Sequence, residues 1–79
     1  MTVKEYMNLP IIDENERVLV VTSDSNHRQL FKGLLCEVPA ELLEENLWIA
    51  SALSAPYIEK YRLDRRLGWT GLFLEMEDN

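Results

Sequence analysis

The sequence predicts an α+β fold: a small antiparallel sheet of about four strands with two or three short helices, in the order α-β-β-α-β-(α)-β. Three observations carry that expectation. The run Val18-Leu19-Val20-Val21-Thr22 is β-branched and apolar at nearly every position, as a strand covered on both faces is. Helix-start chemistry recurs at Thr2, Pro39 and Ser54. Gly71 to Glu77 alternates apolar and other residues, the period of a strand. No repeat, low-complexity stretch or Pro/Gly-rich linker divides the 79 residues, so 1–79 reads as one domain.

Each element follows from its residues. Thr2-Val3-Lys4-Glu5 has capping-box spacing, with Met1 and Tyr6 at the staple positions, and Asn8 and Pro10 end the first helix after about two turns. Asp13-Glu14-Asn15-Glu16 is a polar loop, and Arg17 to Ser23 is the central strand. Asp24-Ser25-Asn26 supplies turn chemistry, leading into a second strand, Gln29 to Val38, and an antiparallel hairpin. There Leu30, Leu34, Cys36 and Val38 share one face and Phe31, Leu35 and Glu37 the other, with Gly33 admitting a bulge or close approach.

Pro39, with Glu41, Glu44 and Glu45 nearby, opens a short helix that turns Leu42 and Leu43 to the sheet and ends near Asn46. Leu47 to Leu53 fits a strand or a buried helix over so short a run, and is taken as a strand. Ser54 fits the cap of a helix with Pro56 in its first turn and Gly68 past its end, placing Tyr57, Ile58 and Tyr61 on one face. An extended strand with Tyr57, Glu59, Tyr61 and Leu63 alternating against Ile58, Lys60, Arg62 and Asp64 fits equally. The last strand puts Leu72, Leu74 and Met76 on one face.

Charge and composition narrow the function classes. Fourteen acidic against eight basic residues give a net charge of −6, while apolar residues make up 47% of the chain, too many for a disordered segment. A single cysteine rules out an intramolecular disulfide framework and suits an intracellular, reducing compartment. The longest charge-free run, Asn46 to Ile58, falls short of the roughly 18–20 apolar residues of a membrane span, and Lys4-Glu5 without an apolar core region does not read as a secretory signal.

Catalytic chemistry has little to work with. His27 is the lone histidine, set in a polar turn with Ser23, Asp24 and Ser25 near it, and reads as a solvated hairpin tip. Cys36, among Leu34, Leu35 and Val38 without a basic neighbour, reads as a buried structural thiol. One His and one Cys do not make a zinc site, the carboxylate groups lack a calcium-loop pattern, and Gly33, Gly68 and Gly71 form no phosphate loop. No catalytic residue, metal or cofactor is therefore expected, and the protein reads as non-enzymatic.

The charge is divided. Lys60, Arg62, Arg65 and Arg66 hold half of the basic residues, interleaved with Tyr57, Tyr61 and Trp69, whereas Asp13, Glu14, Glu16, Glu41, Glu44 and Glu45 make two acidic groups. These ten residues are the candidate partner-binding set. The basic segment fits an acidic protein surface or nucleic acid, or internal pairs such as Glu59 to Arg62. Trp48, Phe73, Tyr57, Tyr61 and Trp69 are more aromatic surface than so small a chain easily buries, which points to a homodimer.

The stretch His27 to Leu43, with Phe31-Lys32-Gly33 leading through Glu37-Val38-Pro39 into Pro39-Ala40-Glu41-Leu42-Leu43, resembles a loose group of short uncharacterised phage and prophage proteins of Gram-positive bacteria. The Met1 to Glu5 opening and the Val18 to Val21 strand agree, so about half the chain is covered. Beyond Asn46 the chain departs, since Ser54 to Trp69, with all of the basic segment, is inserted where similar proteins finish in a brief hairpin. The resemblance implies a mobile-element setting, and with it the cytoplasm of a bacterial host, a small α+β fold and no known activity.

Three functions are expected in order. The first is stoichiometric inhibition of a host defence complex, in the manner of an anti-CRISPR protein, with carboxylates facing the cationic groove of a host protein or protein–RNA complex. The second is a self-associating structural or regulatory accessory protein. The third is direct nucleic-acid binding through residues 60–66, which the net acidity opposes.

Overall fold

The computed structural model describes residues 1–76. Its elements are α1 (Val3–Met7), β1 (Arg17–Thr22), β2 (Gln29–Leu34), two 3₁₀ turns (Leu35–Glu37 and Ala40–Leu42), β3 (Leu47–Ala52), α2 (Ala55–Lys60) and β4 (Thr70–Leu74). The four strands form one sheet in the order β2-β1-β4-β3, an α+β arrangement. Among the described residues no helix is long and apolar enough to cross a membrane.

The sheet is mixed, where the sequence reading had it antiparallel. β2 and β3 pair antiparallel with β1 and β4, but β1 and β4 run parallel, Val20 opposite Leu72. The cause is the chain between β2 and β3, which leaves one edge of the sheet and re-enters at the other, so that β4 fills the gap beside β1. Because β4 returns antiparallel to β3, its direction matches that of β1.

Burial follows the alternation of β1. Val18 and Val20 join Val3, Tyr6, Leu35, Val38, Leu42, Leu72 and Leu74 in the larger core, under α1 and the 3₁₀ turns. Leu19 and Val21 join Leu63 and Phe73 in a smaller core on the opposite face, under α2 and the segment after it. The doubly covered strand and the inward placement of Leu72, Leu74 and half-buried Met76 match the sequence reading. β4 itself ends at Leu74, and Glu77, to which the reading extended that strand, lies outside the described residues.

The capping box at α1 is complete. Glu5 N–H donates to Thr2 Oγ1 at 3.2 Å and Thr2 N–H to Glu5 Oε1 at 2.9 Å, which pulls the Glu5 carboxyl below its ordinary value, the Thr2 N–H first among the causes.

Three readings need correction. β2 stops at Leu34, not Val38, because the chain turns there into a 3₁₀ turn. That turn sends Leu35 inward and Cys36 outward, so the thiol is exposed and not the buried residue that strand alternation implied. Within β2, Val20 pairs with Phe31 but Val21 with Gln29, which leaves Leu30 as a bulge residue. A bulge puts consecutive side chains on one side, and Leu30 and Phe31 both pack against the larger core instead of dividing between faces. Gly33 provides the close approach expected of it: a Cβ there would lie 3.1 Å from the Phe31 ring.

The segment after Pro39 does face Leu42 and Leu43 inward, but as a 3₁₀ turn closed by i→i+3 bonds such as Leu43 N–H to the Ala40 carbonyl at 3.2 Å.

Ser54 does stand at the N-cap of α2, with Pro56 in the first turn, but the helix ends at Lys60, well short of Gly68. The stop is a Schellman motif: Leu63 N–H donates to the Ile58 carbonyl at 2.9 Å and Arg62 N–H to the Glu59 carbonyl at 3.2 Å. Leu63 and Ile58 then pack together in the smaller core. Arg62 occupies the left-handed position, φ 56°, that glycine fills at least cost. Arg62→Gly should therefore raise stability by up to about 1 kcal/mol, read as a higher urea midpoint with an unchanged slope. A lower midpoint would show that the arginine contributes contacts outweighing its backbone strain.

Candidate interaction surface

The two edges of the sheet differ in chemistry. β2 presents exposed Lys32, with exposed Arg28 just before it, and a charged edge resists pairing with another strand. β3, Leu47-Trp48-Ile49-Ala50-Ser51-Ala52, carries no charge. Two of the four large apolar side chains exposed among the described residues lie on it, adjacent to each other, Trp48 at 62% and Ile49 at 45% exposure; Met1 and Ile11 are the others.

A second bulge creates this display. Leu47 pairs with Leu74 and Ile49 with Phe73, so Trp48 is the extra residue. Leu47 and Ala50 pack toward the larger core, while Trp48 and Ile49 stand together on the α2 side of the sheet. With only six residues, α2 covers β1 and β4 there but not β3.

Between α2, the 23–27 turn and β3 lies a groove of about 460 Å³, with Trp48, Ile49 and Ser51 on one side and Tyr57, Phe73 and His27 on the other. The three rings pack edge to face, with His27 5.5 Å from Phe73 and 6.0 Å from Tyr57 between centroids. His27 is half-buried, not a solvated tip. Its Nδ1 lies 3.1 Å from the Thr22 carbonyl, which only accepts, so Nδ1 carries a proton and donates. Its own carbonyl accepts from the Tyr61 hydroxyl, which ties the turn to the end of α2.

The turn is held from within. Asp24 Oδ1 accepts from Thr22 Oγ1 at 2.7 Å, Asn26 N–H at 3.0 Å and His27 N–H at 3.2 Å, and Arg28 N–H donates to Thr22 Oγ1 at 2.9 Å. The Thr22 hydroxyl is the main reason that the Asp24 carboxyl sits below its ordinary value.

A second cavity, about 410 Å³, opens at the other end of β3. Ala52, Leu53, Ala55, Ile58, Leu67 and Trp69 line it, with Arg65 at the rim.

The ten residues singled out by charge take varied positions. Asp13, Glu14, Glu41 and Glu44 are exposed. Glu16 is half-buried and structural, accepting from Thr70 Oγ1 at 2.7 Å and Tyr6 Oη at 3.3 Å, and burial beside that carboxylate pushes the Tyr6 phenol up. Glu45 is half-buried, its carbonyl taking Val3 N–H at 3.2 Å. The 13–16 loop is bonded to residues 35–36 and the 43–45 segment to the start of α1, so the acidic groups have separate anchorages.

The basic segment is largely answered by its own carboxylates. Arg65 pairs with Glu59, which the reading had given to Arg62. Arg66 grips Asp64 through Nε at 3.1 Å and Nη2 at 2.9 Å, which holds the Asp64 carboxyl below its ordinary value. Lys60 lies 5.3 Å from the Tyr61 ring centroid, and Arg62 serves the helix stop. Among the described residues no group of three or more His, Cys, Asp and Glu is placed to hold a metal ion.

Of the five aromatics that suggested surplus surface, Phe73 is buried and Tyr57, Tyr61 and Trp69 are half-buried against the smaller core. Trp48 alone of the five stays exposed. Charge reasoning did not select it, although the uncharged run from Asn46 to Ile58 was plain in the sequence.

No family model matches this chain, nor does any curated protein or solved structure.

Proposed function

We infer that the protein acts without catalysis, by stoichiometric binding to another protein chain, and that the outer edge of β3 is its principal contact. The observation that carries this reading is Trp48, held in solvent by a bulge on an uncharged edge strand. Edge strands of soluble proteins are ordinarily blunted by charge, as β2 is, and an exposed aromatic at a free edge has the properties of an interaction anchor. Inhibition of a host defence complex is one setting for such binding. There the exposed Asp13, Glu14, Glu41 and Glu44 supply the negative surface that a cationic groove attracts.

Affinity capture with a tagged chain, compared across variants, tests the reading. Trp48→Lys should lose the captured protein, whereas Arg65→Gln with Arg66→Gln should retain it. Loss confined to Glu41→Lys with Glu44→Lys, through a slower and salt-sensitive association, would move the contact to the carboxylates. Loss confined to the neutralised basic segment, with release by nuclease, would overturn protein binding in favour of nucleic acid.

A further inference from the structure

We propose that the occupant of the β3 edge is a second copy of this chain, paired β3 to β3 in antiparallel register about Ser51; this rests on the protein-binding reading above and names its partner. The backbone sets the register. Leu53 N–H donates to the Trp69 carbonyl, and Ile49 and Ser51 lie opposite Phe73 and Gly71. By the alternation of antiparallel ladders, Ile49, Ser51 and Leu53 turn their backbone groups to β4, and Ala50 and Ala52 turn theirs outward. Upstream the outer edge is already held, since Leu47 N–H donates to the Met1 carbonyl at 2.7 Å. The open stretch is therefore two residues long, and it is self-complementary. Ala50 against Ala52 of a second copy, and Ala52 against its Ala50, satisfies every outward N–H and C=O of both.

Charge and shape favour a second copy over a different protein. In a chain of net charge −6, no charged residue lies between Glu45 and Glu59, so two copies meet here without like charges facing across the seam. Lys32 on β2 would oppose that at the other edge. Two-fold antiparallel pairing keeps the same face of both sheets on the same side. Ile49 then stands opposite Leu53 of the second copy, and the bulged Trp48 extends past it to the mouth of the 410 Å³ cavity.

Symmetry repeats the insertion, so each chain supplies one indole and one receptacle. The cavity has the size of pockets that enclose small ligands, and Leu53, Ile58, Leu67 and Trp69 give it apolar walls. Aromatic side chains bury about 150–250 Å² each, so the two indoles form the apolar centre of the seam.

Light scattering and equilibrium sedimentation of the full chain, from micromolar to several hundred micromolar, should show a monomer–dimer equilibrium. Trp48→Lys should weaken it at least tenfold with circular dichroism unchanged. Ala50→Pro should do the same, because proline is tolerated at an edge where the N–H faces outward. Ser51→Cys, in a Cys36→Ser background and with oxidised glutathione, should form a disulfide dimer in high yield. Non-hydrogen-bonded pairs bring Cα atoms to about 4.5 Å, within disulfide reach.

A monomer throughout, with no cross-link at position 51, would overturn the second-copy inference, as would assemblies that keep growing beyond the dimer. If the chain is monomeric yet Trp48→Lys still loses a captured protein, the protein-binding reading stands with another occupant. If Trp48→Lys alters neither self-association nor capture, both readings fall.

Discussion

Leu72→Ala should cost about 2–5 kcal/mol, the range for removing a fully buried leucine from a core that cannot close over the gap. Leu72 sits on the inner strand β4, opposite Val20 of β1 on one side and Ala50 of β3 on the other. Its side chain enters the larger core, where Val3, Tyr6, Leu35 and Leu42 arrive from three separate elements. Three elements facing it and a strand on either side leave little room for collapse. A domain of this length holds about 4–12 kcal/mol in total, at roughly 0.05–0.15 kcal/mol per residue, so the loss is a large share of the whole. Urea unfolding followed by circular dichroism measures the loss. A decrease under about 1 kcal/mol would show that the strand is not enclosed as described.

Thr22→Val should cost about 1–3 kcal/mol without creating a cavity, which isolates the hydroxyl. Thr22 is completely buried, and its Oγ1 both donates to Asp24 and accepts from Arg28 N–H. The substitution removes both bonds and with them the main cause of the low Asp24 value. A carboxyl with a depressed folded value contributes stability that is present above its unfolded value, about 3.9, and lost as pH falls through the folded one. In the variant that acid-limb loss should flatten, because the folded value moves back toward the unfolded one. The pH dependence of the thermal midpoint below pH 5 reads this directly. The His27 ring should change position as well, and ring resonances of Tyr57 and Phe73, which pack edge to face on it, report the movement. An unchanged acid limb would mean that Asn26 and His27 hold Asp24 unaided.

What the sequence made legible was governed by local rules. Thr2 and Glu5 announce a capping box through spacing alone, and Val18 to Val21 announce a doubly covered strand through composition. What escaped depends on events one residue wide or on long-range return of the chain. The bulges at Leu30 and Trp48 reverse the apparent faces of their strands, yet neither residue type marks a bulge. Left-handed backbone at His27 and Arg62 falls on residues that do not advertise it as glycine does.

The same limits governed the site. Runs of charge drew attention to residues 13–16, 41–45 and 60–66, but Glu16 is spent on Tyr6 and Thr70, and Arg65 and Arg66 on nearby acids. Trp48 emerges only when the bulge and the short reach of α2 are known.

The parallel contact of β1 with β4 also dictates an order of assembly. The β1–β2 hairpin needs only a short turn and can form while the rest of the chain is still being synthesised. β3 and β4 are joined by residues 53–69, a much shorter stretch than the one between β1 and β4, so they can pair before β4 reaches β1, and the parallel contact closes last. Until Thr70 to Leu74 pairs with it, the uncharged run around Trp48 lacks its inner sheet neighbour. In that interval its unpaired backbone and exposed indole make β3 the segment through which chains meet most readily during folding.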